Sequence, residues 1–315
     1  MIERPDADAL LAGPLGGWLE GQSAARTAAR VNAQFRFIVA VGAAAAVAFA
    51  AILYTGEIMV ALQLGGAIGF GGYAWSEWSK RPVANRIKSE INSAIAAALG
   101  LRYNLTVRDD GDFERARAFT LLPSFDNRKL EDEWTGEVGG RPFHLHEAKL
   151  TEERGSGKSR RTVTVFAGVI MAVGFAREFT GTTLIARKGS HKRFFGLIGE
   201  DKETISPNGV RLQKIDMVDP RFADAFSVWS NDPVEGHYLI DPIYVEKLVA
   251  IEQAFAGDKI RALFTGGQLL IVLEGGNLFE SGSLNAEDDR RLVEQSITQF
   301  GTLADIAVKL NARAR

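Results

Sequence analysis

Asp232, Glu235, His237 and Asp241 crowd one short polar segment. Carboxylates beside an imidazole can take and return protons near neutral pH, so Asp232, Glu235 and His237 are the candidate catalytic residues, of a hydrolase-like kind. If Glu235 to Ile240 is a strand, Glu235 and His237 share one of its faces. The same residues also read as a turn at Ser230 to Pro233, a polar strand face, and a helix cap at Asp241-Pro242.

Two other motifs fall short of the chemistry they begin. His146-Glu147-Ala148-Lys149-Leu150 starts as a zinc-protease motif does, but Leu150 stands where the second histidine is required. His144 and His146 lie on one face of a predicted strand, as metal ligands do. With 4 histidines and 0 cysteines in the chain, a half-exposed strand face is the simpler expectation, and no metal site is assigned. Gly155-Ser156-Gly157-Lys158-Ser159 ends like a phosphate-binding loop. Glu152 occupies the position of its first glycine, and a strand follows instead of a helix. It reads as a flexible hairpin turn, and no cofactor is expected. The absence of cysteine excludes thiol catalysis and disulfides. A sequence pI of 6.2 argues against general nucleic-acid binding.

The elements that must position these residues divide sharply. Phe37 to Tyr54 and Ile58 to Trp75 carry no charge. At ~1.5 Å per residue each run covers about 27 Å, close to the roughly 30 Å hydrocarbon core of a bilayer. The reading is an arm over residues 1–36, a transmembrane hairpin over 37–75 with spans 37–54 and 58–75, a juxtamembrane helix over 76–100 opened by Pro82, and a domain over 101–315. A buried helix pair in a soluble protein is the alternative, but neither run has the polar face such helices show. Arg26, Arg30 and Arg36 precede the first span, Lys80, Arg81, Arg86 and Lys88 follow the second, and the connecting turn has neither Lys nor Arg. That asymmetry places both termini in the cytoplasm. Gly65 and Gly69 form a small-residue pair suited to helix packing, within the hairpin, with a second copy, or with another membrane protein. Arg36, Lys80, Arg81, Arg187, Lys188, Lys192 and Arg193 are the candidate contacts to anionic lipid.

The remainder predicts an α+β fold with a mainly antiparallel sheet. Trp134 to Val138 and Arg141 to Leu150 flank Gly139-Gly140, and Ile260 to Thr265 and Gln268 to Leu273 flank Gly266-Gly267, as hairpins do. Thr162 to Phe175 is a buried strand. Thr182 to Arg187, Arg211 to Val218, Phe226 to Trp229 and Glu235 to Ile240 are further strands. Helices are expected from Asp241 to near Gly257 and from Asn285 to Asn311. The last has an apolar stripe of Leu292, Val293, Ile297, Phe300, Leu303, Ile306 and Leu310.

From the second span onward the chain resembles the bacterial domain-of-unknown-function family 3137. The resemblance is carried by Glu133-Trp134-Thr135-Gly136-Glu137-Val138-Gly139-Gly140, by Val165-Phe166-Ala167-Gly168 and by Phe179-Thr180-Gly181-Thr182-Thr183. Its most specific part runs from Asp219-Pro220-Arg221-Phe222 through Trp229-Ser230-Asn231-Asp232 to Val234-Glu235-Gly236-His237-Tyr238. Family members carry Ala-Arg-Tyr at Gly236-His237-Tyr238, which weighs against a catalytic His237. The resemblance implies a two-span protein of the bacterial inner membrane with no assigned reaction. Taken together, the sequence predicts a binding or scaffolding module at the cytoplasmic face, more so than an enzyme, with a tethered hydrolase or an anionic-lipid sensor as the alternatives.

Overall fold

The computed structural model describes residues 2–175, 178–189, 192–194, 198–217, 220–240, 244, 246, 259–276 and 278–311. In chain order these hold α1 (Ala7–Ala12), α2 (Pro14–Gly21), α3 (Ser23–Thr55), α4 (Ile58–Ala98), β1 (Arg102–Thr106), α5 (Gly111–Ala118), β2 (Asn127–Val138), β3 (Arg141–Arg154), β4 (Arg161–Gly174), β5 (Thr183–Arg187), β6 (Lys192–Phe194), β7 (Ile198–Asp201), β8 (Thr204–Ile205), β9 (Leu212–Ile215), α6 (Pro220–Ala225), β10 (Phe226–Ser230), α7 (Pro233–Leu239), β11 (Lys259–Thr265), β12 (Gln268–Glu274) and α8 (Asp289–Asn311). They group into two compact units. One comprises Met1–Arg4, Ala96–Phe279 and Ser296–Arg315; the other comprises Pro5–Ile95 and Glu280–Gln295.

The second unit is helical. The basic segment before the first apolar run is continuous with it in α3, which ends on Gly56 in the left-handed region (φ 69°). Where α3 and α4 approach, the contact residues are small. A Cβ on Gly72 would stand 2.0 Å from the Ala40 Cβ, and one on Gly65 would meet Ala48 and the Ala44 carbonyl at 3.1 and 3.2 Å. The Ser76 hydroxyl donates to the Ala33 carbonyl at 2.8 Å. Gly65 is thus used within the hairpin, while a Cβ on Gly69 would meet nothing. Pro82 was expected to open a separate helix; instead it lies inside α4. The reason is phase: buried Gly72 and Ser76 lead, at helical spacing, into Ile87, Ile91 and Ile95, each fully buried, so one stripe runs through the proline. In the same unit, Arg26 of the arm is buried and donates to Asp289 at 2.8 Å. A buried guanidinium is tolerated because it is paired.

The first unit is built on a ten-stranded antiparallel sheet in the order β1-β2-β3-β4-β12-β11-β5-β10-β9-β8. Both glycine-glycine hairpins form as expected, with Gly139, Gly140, Gly266 and Gly267 all at positive φ. On one face Trp134 stacks on Phe300 (centroids 4.5 Å) and meets Phe279 and Tyr103 at 5.1 Å each. On the other face Phe113 and Ala116 of α5 join a core with Leu150, Phe166, Trp229 and Leu270. One expectation changes and one is not reached. Glu235 to Ile240 is not a strand: Asp232 caps and Pro233 opens α7 there. The helix expected from Asp241 lies outside the described residues, apart from Tyr244 and Glu246, which are helical.

Trp134→Ala removes the centre of the first aromatic core and should lower unfolding stability by about 3–5 kcal/mol, measured by chemical denaturation of the full chain in detergent.

Candidate functional site

The densest set of ionisable groups inside the sheet unit is made by the β2–β3 pair. In an antiparallel pair, residues directly opposite share a face. Glu131 pairs with Glu147 and Trp134 with Leu145, so two residues, Asp132 and Glu133, stand opposite the single residue His146. This is a β-bulge. Asp132 takes φ 58° to make it, a conformation that aspartate tolerates better than most residues.

The bulge changes which residues face which way. Leu130 and Trp134 are four apart and would share a face on a regular strand. Here Leu130 packs on the α5 side and Trp134 on the other. Glu131 and Asp132 are left beside Glu147, with ligand oxygens all within 4.8 Å of one another. An all-oxygen set suits a hard cation, but these carboxylates have protein partners: the Tyr103 hydroxyl donates to Asp132, the Leu278 N–H donates to Glu147 at 2.8 Å, and the Lys129 ammonium lies 2.5 Å from Glu131. Their role as placed is structural.

On the α5 side of the sheet, Glu133 and His144 converge. Glu133 Oε1 accepts from the backbone N–H of Arg108 at 3.0 Å and of Asp109 at 3.2 Å, and Oε2 accepts from Asn104 at 2.9 Å. His144 Nδ1 lies 2.6 Å from Asp112 Oδ2, in the first turn of α5, and its Nε2 lies 3.4 Å from Glu133 Oε1. Arg115 lies 3.5 Å from Asp112 on its other side. His146 follows on the same strand face, its ring centroid 5.2 Å from that of His144. Its side chain is fully buried, and neither ring nitrogen has a hydrogen-bond partner among the described residues.

Ionisation follows from these contacts. Burial opposes the charge on His144, but the hydrogen bond and charge of Asp112, aided by Glu133, outweigh it and raise the pKa. Burial likewise opposes the charge on Asp112, and His144 and Arg115 overcome it, so the carboxyl ionises below its usual range. Glu133 is also lowered: burial works against it, and the two backbone N–H groups and Asn104 prevail. His146 moves the other way. Burial, then the charge of His144, push it down to about 4, so it is neutral where His144 is charged.

The sequence candidates occupy other ground. The Asp232 side chain caps α7 by accepting from the Glu235 N–H at 3.0 Å. Glu235 accepts from the backbone N–H of Thr180 at 2.9 Å and of Gly181 at 2.6 Å, and a Cβ on Gly181 would reach the Glu235 carboxylate at 2.4 Å. His237 is exposed in the last turn of α7. On a helix, residues two apart diverge by about 200°, so Glu235 and His237 do not share a face. Asp241 lies outside the described residues.

Among the basic residues, Arg36 sits over Trp75 at 4.8 Å, Lys80 pairs with Glu77 at 2.6 Å, and Arg81 is exposed. Arg187 stacks on Phe226 at 4.5 Å, and Lys188 lies 3.8 Å from Asp224. The side chains of Lys192 and Arg193 lie outside the described part. Gly155-Ser156-Gly157 forms the β3–β4 turn, as expected. The strand face of His144 and His146, expected to be half-exposed and assigned no site, is instead fully buried at His146. Asp112 and Glu133 were not found from the sequence, because neither α5 nor the bulge has a strong sequence signature.

Asp232→Ala should cost about 1 kcal/mol through the lost helix cap. Glu235→Ala should cost about 1–3 kcal/mol by leaving two backbone donors unmet, both read as shifts in denaturation midpoint.

Residues 164–312 match the family described as "Protein of unknown function (DUF3137)", so the resemblance read from the sequence is borne out over that stretch. The match includes α7 and β11–β12 and begins after His144 and His146. No curated protein matches the chain. Among solved structures, the crystal structure of the mycobacterial trehalose monomycolate transport factor A, TtfA, aligns with 74% of this chain and 98% of that chain, at 9% identity and a TM-score of 0.34. That likeness is too remote to carry an inference.

Proposed function

We propose that this is a membrane-anchored protein whose sheet unit serves as a binding or scaffolding module at the cytoplasmic face of a bacterial inner membrane. The observation that carries the reading is the outer surface of α3 and α4. Both helices are long and apolar enough to cross a membrane. Leu53 is 72% exposed, Phe70 75% and Leu62 64%. Water tolerates large contiguous surfaces of this kind poorly, and lipid hydrocarbon accepts them.

Arginines and lysines before α3's apolar run and after α4's, with none in the turn between them, favour both termini in the cytoplasm. Arg36 over Trp75 joins a cation to an interfacial aromatic at one level of the hairpin. A tether of this kind raises the local concentration of a module for partners at the membrane. Glu235 spends both carboxylate oxygens and Asp232 one of its own on backbone N–H groups, which accounts for both residues structurally. This favours binding over hydrolysis.

Reporter fusions at residue 57 and after the C-terminus test the anchor. The expected result is an exported signal at 57 and a cytoplasmic one at the C-terminus. A C-terminal reporter on the outer side would overturn the cytoplasmic placement. For the module, mild-detergent pulldowns of the full chain and of a form lacking the sheet unit should recover different partners; identical partners would reject it.

A further inference from the structure

We propose that His144 is a proton-operated latch: as an imidazolium it binds Asp112 and Glu133 together and so holds the β1–α5 loop and α5 against the sheet, and loss of its proton loosens that segment. The argument rests on donor counting. Two carboxylates flank one ring, Asp112 hydrogen-bonded at 2.6 Å from Nδ1 and Glu133 at 3.4 Å from Nε2, close enough for charge attraction but outside hydrogen-bond geometry as it stands. Only the imidazolium has an N–H on both nitrogens. A neutral ring that keeps its proton on Nδ1 for Asp112 turns a lone pair toward the Glu133 carboxylate. With the proton on Nε2, it abandons Asp112, which is the shorter contact. Either way an attraction becomes a repulsion between groups buried at the sheet.

The groups around the ring support this reading. From α5 come Asp112 and Arg115, and Arg115 already serves both Asp112 and the side-chain amide oxygen of Gln268 at the start of β12. From the loop comes Asp110, which Arg128 of β2 holds at 2.9 Å while also binding Glu114 at 2.6 Å. From β2 comes Glu133, and from β1 come the uncharged Asn104, which bonds Glu133, and Arg102, which shares the face across Thr135. On β3, His146 is neutral and offers no second proton to the pair. On β4, the residue opposite His144 is Ala172. Among the described residues, His144 is therefore the cation that answers both carboxylates at once.

The same carboxylates hold the mobile side of the latch. Glu133 receives the N–H groups of Arg108 and Asp109, and Asp112 lies one residue before Phe113, which is fully buried in the core. The pKa of His144 is raised in the folded chain. Its contribution is therefore fully present below the unfolded value of about 6.5 and is lost as pH rises through the higher folded value.

Hydrogen exchange of the full chain in lipid nanodiscs, corrected for intrinsic rates, tests the latch from about pH 6 to about pH 9. Amides of residues 107–118 should lose protection with rising pH, by at most about tenfold per pH unit, the limit for one proton. His144→Gln should show flat, low protection there. A pH-independent wild type, or a variant with the wild-type pH response, would overturn the proposal. If the variant does not fold, ¹⁵N-histidine spectra of the wild type decide. Titrated over the same range, one ring that keeps both protons to a higher pH than an ordinary histidine supports the latch, and no such ring rejects it.

Discussion

Large apolar side chains on the outer surface of α3 and α4 set the terms for the rest of the helical unit. Tyr54 is 94% exposed and Phe49 64%, and the unit has no sheet or third long apolar helix of its own to cover them. The buried positions where the two helices meet are small residues instead. Ala33, Ala40, Ala51 and Ala61 are buried there with Gly72 and Ser76. Such a seam lets two backbones approach closely while leaving most bulky side chains of the two apolar runs for the surroundings. It is the inverse of a soluble hairpin, where the large residues face inward. The ends of the same unit return to ordinary aqueous chemistry: Arg26 is buried only because Asp289 pairs with it, and Asp8 and Arg290 meet on the surface at 2.7 Å.

In the sheet unit a single extra residue has a comparable reach. Placing Asp132 and Glu133 opposite His146 lets Leu130 enter one core and Trp134 the other. It also directs Glu133 toward His144 while Glu131 and Asp132 turn toward Glu147. Polar groups are thereby buried on both sides of one strand pair, yet those whose partners are resolved carry hydrogen bonds or ion pairs. Among the described residues, Trp134 Nε1 and His144 Nε2 have no hydrogen bond, and His146 departs furthest, a buried ring with both nitrogens unmet. A neutral ring costs far less there than a charged one, which accords with its lowered pKa.

Much of this was legible in the residues. The Val- and Ile-rich run of β4, the Gly266-Gly267 hairpin and the striped final helix each carry a strong local signal and form close to their expected bounds, and the Gly139-Gly140 hairpin forms with β2 beginning at Asn127 instead of Trp134. The errors have local causes as well. Asp232-Pro233 is as good a helix start as Asp241-Pro242, but the β-rich residues before it favoured a turn. Pro82 was read as a helix start because proline is common there, whereas the buried stripe on either side keeps its phase. α5 is short and highly charged, with Phe113 and Ala116 its only buried residues, so no periodicity announced it. The pairing of Asp112 with His144 spans 32 positions in sequence and depends on a bulge that breaks the strand alternation. Neither can be read from spacing alone.

The absence of native cysteine makes the central claim directly measurable, since a single introduced cysteine carries a spin label without background. Labels at Phe49 and Phe70 should collide readily with dissolved oxygen and rarely with a water-soluble nickel chelate when the full chain is in lipid nanodiscs. A label at the exposed Tyr238 should show the opposite order. Equal nickel access at Phe49, Phe70 and Tyr238 would mean that the two helices lie in water, and would contradict the account.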